Sequence, residues 1–481
     1  MKRFKKWLNL PSTEGDFFMK ILLLAPIAIW FSNWPQISLG SDGATNFRVT
    51  LTMIYLAILA LVAFVKLIKN YRNFSRRTPF FVANWVCLVF VVYNWLTIIW
   101  SDNRSRTLLT ASIVSCLYVV FLALTLTKNL QRYVQPLAKI YIVTAMIMSV
   151  LALMQFIYGA FWARGFLLCA GCVAGQFGFV RPNVFAIEPQ FLGSLLLAPI
   201  LLIFHEIITQ KHSYWRDLVF GCLLLTLLLT LSRGAIFAFL IGAIMVVIFS
   251  WQRGILSARG YCKKVAGGVL ICAVSLAVCL VMQGVTAAVN PNTKSGFTVA
   301  VNASLNQLSL GLIKIQDIKV HKISSVARST VSAKEPAFSG YVAESTNVRT
   351  SLSKIALKTW AHEKLSRKLL GVGLGGSGVA MAQFLRSNDP KQIVQNQFVE
   401  TLLELGVVGA IILAAILLGL IYTLWRNQKA RWTLGIVVAF LVQWLFFSGY
   451  PSALHIYLVL MILYIVAKAP IGRHAALAPT K

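Results

Sequence analysis

The sequence predicts an all-α, polytopic membrane protein with about twelve transmembrane helices and one long outer loop between spans nine and ten. Three observations predict it. Apolar residues make up 58% of the chain and charged residues only 12%, a balance outside the range of soluble domains. The apolar residues gather in runs of roughly 20, the length that crosses a hydrocarbon core about 30 Å thick. The 45 Lys and Arg outnumber the 14 Asp and Glu, for a net charge of +31, and they fall mostly between those runs. Such an excess fits positive cytoplasmic loops, a basic surface for an anionic ligand, or both. Nucleic acid fits poorly, because no basic-aromatic module is visible.

In chain order, the basic Met1–Lys6 precedes an apolar run centred near Leu24. Lys20 enters that run and no small-x-small cleavage site follows, so an uncleaved first helix is expected. Runs near Ala57, Phe90, Leu122 and Met146 complete a first unit, residues 1–180, of five spans and an outer loop. Residues 181–284 hold spans six to nine, near Ala198, Leu225, Gly242 and Val274. Residues 285–396 form the long loop, and 397–481 hold spans near Ile412, Ala439 and Met461 followed by a basic tail. Lys69, Arg72, Arg76, Arg77, Lys128, Arg132, Lys139, Lys211, Arg216, Arg253, Arg259, Lys263, Lys264, Arg426, Lys429 and Arg431 all fall on one side. The short loops opposite hold only Arg48, Arg104, Arg106, Arg164, Arg181 and Arg233. The positive-inside rule then puts both termini in the cytoplasm.

The long loop carries fourteen Lys and Arg against five Asp and Glu, but long loops translocate whatever their charge. Val285 to about Thr346 has no steady period and reads as irregular. From Asn347 to about Leu370, Val348, Leu352, Ile355, Ala356, Leu357, Trp360, Leu365 and Leu369 recur near helical spacing among Arg349, Lys354, Lys358 and Arg367. That pattern predicts an amphipathic helix on the outer surface. Most cysteines lie in apolar runs as packing residues. Cys169 and Cys172 form a lone CxxC, which fits a local disulfide or inert thiols better than a zinc site.

Ionisable groups at membrane depth cost about 2.5–3.5 kcal/mol, so each suggests a function. The apolar stretch Leu218–Phe249 would be about 48 Å long as a single helix, too long for the membrane. It is expected to fold as two short helices with a turn at Ser232-Arg233-Gly234 near the outer boundary. Val180-Arg181-Pro182-Asn183 through Glu188-Pro189-Gln190 is kept irregular by its prolines and fits a cavity lining or a structural Arg181–Glu188 ion pair. Asn396, Glu400 and Glu404 are four apart and share a helical face. Gly406 and Gly409 below them suit close helix packing. Gly371-Val372-Gly373-Leu374-Gly375-Gly376 matches GxGxxG, but no strand-helix-strand unit surrounds it. It reads as a flexible turn, or as backbone N–H groups facing a phosphate.

Taken together, these stretches resemble the O-antigen ligase and polymerase superfamily of bacterial envelope glycosyltransferases, over about residues 180–425. The likeness rests on Arg181 and Glu188-Pro189, on the Thr-Leu-Ser-Arg-Gly turn from Thr230 to Gly234, on a long outer loop ending in Gly371 to Gly375, and on Gln395-Asn396 ahead of Gly406 and Gly409. Trp100-Ser101-Asp102 is similar to the family's Trp-Ser element. The resemblance implies transfer of a glycan from undecaprenyl diphosphate, without a metal or other cofactor, at the periplasmic face of the inner membrane. Ligases pass it to lipid A-core and polymerases to another lipid-linked repeat. Where the ligases have a His, this chain has Gln395, which cannot serve as a general base. The Glu188-Pro189 element looks more like the polymerases.

The chemistry needs cations for the leaving diphosphate. Arg181, Arg233 and Arg349 are the candidates, since no Asp-x-Asp occurs in the chain. Glu188 and Glu400 are acids at suitable depth for activating the acceptor hydroxyl, Glu188 being preferred and His362 an alternative. Gln395 stands at the reacting position, with Ser232, Gly373 and Asn396 supporting. The expected partners are the lipid-linked glycan, an acceptor glycan or lipid A-core, and membrane lipid. Competing readings are a lipid-linked oligosaccharide flippase, which would normally show two similar halves, a non-catalytic assembly partner, and a protein O-oligosaccharyltransferase.

Overall fold

The computed structural model describes residues 17–39, 47–70, 80–127, 130–161, 175–176, 179–251, 257–289, 297–309, 338–385, 392–448 and 453–468. About 81% of it is helical, as the composition predicts. Two short antiparallel hairpins are added: β1 (Gln36–Leu39) with β2 (Phe47–Thr50), and β3 (Gly175–Gln176) with β4 (Phe179–Val180).

The N-terminal run is broken into α1 (Phe17–Leu22) and α2 (Ala25–Ala28), because Pro26 opens a new helix and cannot extend the old one. Then follow α3 (Leu51–Asn70), α4 (Phe81–Leu96), α5 (Arg104–Thr125) and α6 (Gln131–Phe161). α5 is started by Asn103, whose side-chain oxygen accepts from the Arg106 N–H, the usual way to satisfy a first-turn donor. α7 (Pro189–Thr209) begins on a proline, which suits a position whose N–H has no helical partner. α8 (Tyr214–Leu229), α9 (Arg233–Ser250) and α10 (Ala258–Val289) come next. The 32-residue apolar stretch therefore divides as its length requires, with α8 ending at Leu229 and α9 starting at Arg233.

α11 (Phe297–Leu308) lies in a stretch expected to be irregular. Its buried face is Ala300, Ser304 and Gln307, correctly spaced for a helix but too small and polar to register as an apolar stripe. α12 (Phe338–His362) starts before the predicted amphipathic helix and stops short of its end, and α13 (Leu365–Leu370) resumes after a break at Lys364. α14 (Ser377–Met381), α15 (Gln397–Arg426), α16 (Leu434–Trp444) and α17 (Leu454–Lys468) complete the chain.

Eleven of the twelve apolar centres fall on helices, Leu24 lying in the turn between α1 and α2, and among the described residues eight helices are long and apolar enough to cross a membrane. Three further apolar segments, Phe17–Ala28, Arg431–Trp444 and Leu454–Lys468, are shorter, as is α8. α7 sits at the centre: 78% of its most apolar window is buried, against 17% for α10. α9 and α16 cross where glycines face each other. A Cβ on Gly242 would lie 2.8 Å from the Gly435 carbonyl, and one on Gly435 2.6 Å from that of Gly242. Cys169 and Cys172 lie outside the described residues.

Candidate active site

The break between α8 and α9 is a tight turn. Thr230 Oγ1 donates to the Leu227 carbonyl at 2.6 Å and accepts from the Ser232 N–H at 3.2 Å, replacing helical bonds that end there. Leu231 is left with φ of +48°, a conformation that a branched side chain rarely adopts. Gln307, reaching over from α11, holds it by donating to the Leu231 carbonyl at 3.2 Å. Arg233 then opens α9, half-buried at the helix end. Ser232 is buried, and its hydroxyl has no hydrogen-bond partner among the described residues.

Arg181 points at this turn. It is 5% exposed, and its Nε donates to the Thr230 carbonyl at 2.8 Å. The chain around it is braced from two sides. Gln283 of α10 donates to the Val180 carbonyl at 3.1 Å. Gln155, fully buried in α6, accepts from the Asn183 and Val184 N–H groups at 2.9 and 2.8 Å and donates to Asn183 Oδ1 at 3.0 Å. Val184 has φ of +51°, so this side chain satisfies the backbone that the strained residue leaves unpaired. Of the two readings of this stretch, the Arg181–Glu188 ion pair does not form: Glu188 lies exposed at the start of α7, in no ion pair among the described residues. The extended conformation needed to start the helix on Pro189 turns it outward.

Arg349 joins from α12. Its Nη2 donates to Oε1 of Gln190, and Gln190 Nε2 donates in turn to the Phe446 carbonyl. Phe446 lies in the turn after α16 and packs over Gly234, where a Cβ would stand 2.7 Å from the phenylalanine's own. Arg181, Arg233 and Arg349 are therefore borne by three segments tied through Thr230, Gln190 and Phe446.

The glycine stretch has an identifiable task. α15 is kinked at Gly406 (φ +63°, ψ −168°), and the kink frees carbonyls of its first turns. Val372 N–H donates to the Leu403 carbonyl and Gly373 N–H to that of Glu404, each at 3.0 Å, while the Tyr93 hydroxyl donates to the carbonyls of Leu370 and Leu405 at 2.9 and 2.8 Å. Gly373 packs against Ser101 of the Trp-Ser element, and Thr107 Oγ1 donates to the Leu374 carbonyl at 2.6 Å. The N–H groups expected to face a phosphate are thus largely engaged by the protein. Those of Gly375 and Ser377 turn to the Glu404 carboxylate. Gly373 serves as a clamp.

Asn396 is the N-cap of α15, its Oδ1 accepting from Phe398 and Val399 N–H at 3.1 and 3.2 Å. Gln395, just before it and half-buried, has φ of +59°. Glu400 is buried beside the Ser448 hydroxyl, although neither Glu400 Oε2 nor Ser448 Oγ completes a well-aligned hydrogen bond among the described residues. Ser448 follows Phe446 by two residues, so this acid borders the arginine-bearing segments. Arg106, half-buried at the start of α5, is near enough for its charge to act on both Glu400 and Glu404. Sequence reasoning counted it only as a loop cation; a place in the first turn of an apolar span was its one signal. His362 is exposed and its Nδ1 lies 2.8 Å from the Lys358 carbonyl. Among the described residues no three His, Cys, Asp or Glu side chains group as metal ligands would.

Residues 218–414 match the family described as O-antigen ligase, a stretch that includes Arg233, Arg349, the glycine clamp, Gln395, Glu400 and Glu404. No curated protein matches the chain. The chain thus combines apolar helices enough for a multi-pass membrane protein with a central stretch whose match supports the O-antigen ligase superfamily.

Proposed function

We propose that this protein is an envelope glycosyltransferase that transfers a glycan from undecaprenyl diphosphate to an acceptor sugar hydroxyl at the periplasmic face of the bacterial inner membrane. The observation that carries this reading is the hydrogen-bonded chain tying the segments of Arg181, Arg233 and Arg349 together. Breaking a sugar–diphosphate bond builds negative charge on the departing phosphate. Fixed guanidinium groups in a water-poor site stabilise that charge most where it develops. Arg233 and Arg349 bind the diphosphate, with the more buried Arg181 holding the Thr230–Arg233 turn as well as adding charge.

Glu188 takes the acceptor proton. It is exposed where a sugar hydroxyl can approach, two residues from the Gln190 that anchors Arg349. Glu400 is the alternative base, reached only from within. Gln395 lacks a basic nitrogen and positions the reacting sugar through its amide. Displacement by the acceptor inverts the anomeric carbon, and a product of retained configuration in vitro rules that mechanism out.

The acceptor is a second lipid-linked repeat, which makes the enzyme a polymerase, as the Glu188-Pro189 element suggests. Deletion of the gene followed by gel analysis of surface polysaccharide tests this. Core bearing a single repeat is the polymerase outcome. Unmodified lipid A-core indicates a ligase. Unchanged surface glycan together with precursor accumulating in the inner leaflet overturns the transferase reading for a flippase.

A further inference from the structure

α13, which leads the chain into the glycine clamp, has one side held by the protein and another left open. Arg367 is on the held side, its Nη1 and Nη2 pairing with the two Asp102 carboxylate oxygens at 3.1 and 2.8 Å. At about 100° per residue, Leu365 and Leu369 lie on the opposite side. They are 72% and 43% exposed. Lys368 borders that pair on one edge, the N-cap Lys364 stands immediately before Leu365, and from Arg349 to Leu370 six Lys and Arg stand against one acid, Glu363.

The depth of α13 tells what its open side meets. Its last carbonyl, on Leu370, accepts from the Tyr93 hydroxyl within α4. The next residue, Gly371, abuts Gly406: a Cβ on Gly406 would lie 2.5 Å from the Gly371 nitrogen. Gly406 is nine residues into α15, roughly 14 Å along the helix. α13 therefore runs beside the ends of two spans, α4 and α15, and not above them. The same end of α4 exposes Leu96 and Ile99, the latter by 69%. Leucines left open beside lipid-facing helix ends, with lysines alongside, suit a bilayer boundary: apolar groups enter the acyl region and ammonium groups reach the phosphates.

We infer that α13 is an interfacial anchor for anionic lipid, in which Leu365 and Leu369 enter the edge of the hydrocarbon core and Lys364 and Lys368 engage headgroup phosphates. Anionic lipid is the partner because the segment is strongly cationic, and a negative surface attracts each added Lys or Arg. The inference is independent of the glycosyltransferase reading, since it requires only that α4 and α15 cross the membrane.

The test places a nitroxide at Leu365→Cys, and separately at Leu369→Cys, in full-length protein whose eight native cysteines are replaced. The protein is reconstituted into phosphatidylcholine vesicles with and without phosphatidylglycerol. At both positions, collisions with oxygen should exceed those with a water-soluble nickel chelate. The excess should grow with phosphatidylglycerol, and Lys364→Gln with Lys368→Gln should abolish that growth. Free access of the chelate overturns the anchor. Shielding from both reagents overturns it in favour of a protein cover, and equal depth in the two lipid mixtures overturns the anionic assignment. Two label positions keep the result readable should one variant misfold.

Discussion

Three described residues other than glycine have a positive φ: Val184, Leu231 and Gln395. Each lies in a stretch that also holds a candidate site residue. Such conformations cost about 1–3 kcal/mol apiece and persist only where the surroundings enforce them. Gln155 and Gln307 supply much of that enforcement. Gln155→Ala would strand the Asn183 and Val184 N–H groups in a buried place, at about 1–3 kcal/mol for each unsatisfied group. Denaturant unfolding in detergent should report that loss. Gln155→Glu keeps both acceptor bonds and should lose less. Arg233→Ala should leave membrane expression intact and lower transfer by about 10²–10³-fold, the usual effect of deleting one donor to developing charge. Arg233→Lys should recover only part, because a lysine cannot reproduce the planar fork. Normal glycan chain length in Arg233→Ala cells would count against a diphosphate role.

At the level of elements, the kink of α15 and the glycine turn are halves of one joint. Gly371 (φ +79°, ψ 176°) and Gly406 (φ +63°, ψ −168°) both occupy backbone space essentially reserved for glycine. A Cβ on Gly371 would stand 2.1 Å from the Glu404 carbonyl oxygen, and one on Gly406 2.3 Å from that of Leu369. Gly406→Ala should therefore destabilise the protein by more than the ~1–3 kcal/mol of backbone strain alone. Asn396→Ala should cost about 1 kcal/mol as a lost cap, and Asn396→Asp should restore the thermal transition. This joint was only half legible in the sequence. The α8–α9 break could be read because a 32-residue apolar stretch exceeds the membrane thickness. The GxGxxG stretch could be located, but its partners Leu403 and Glu404 are some thirty residues away, and nothing in the spacing announces that a kinked helix offers its carbonyls there. For the same reason the spacing of Gly406 and Gly409 suggests only close helix packing. Neither Gln155 nor Arg106 announces itself as a site element, because Gln155 is a lone amide in the apolar second half of α6 and Arg106 is one of two arginines that open a span, with no motif around either.

For the molecule as a whole, everything turns on which end of the bundle faces outward. The arginine-bearing turns, the α15 N-terminus and the glycine clamp gather at one end. Cys262 lies in the first turns of α10, a helix whose opposite end delivers Gln283 to Val180 beside Arg181. A helix of 32 residues is about 48 Å long, so Cys262 and the candidate site must lie on opposite faces of a membrane whose core is about 30 Å thick. Lys263 and Lys264 next to Cys262 make the cytoplasm the expected side of that end under the positive-inside rule. Cys262 is exposed and so can report the sidedness directly. In spheroplasts, a membrane-impermeant maleimide should spare Cys262 until the membrane is permeabilised, and should label an exposed Ser366→Cys at once. Labelling in the reverse order would place the arginines in the cytoplasm. There the acceptor and the carrier lipid's glycan would be on the wrong side for the transfer proposed, and the diphosphate role would fail with it.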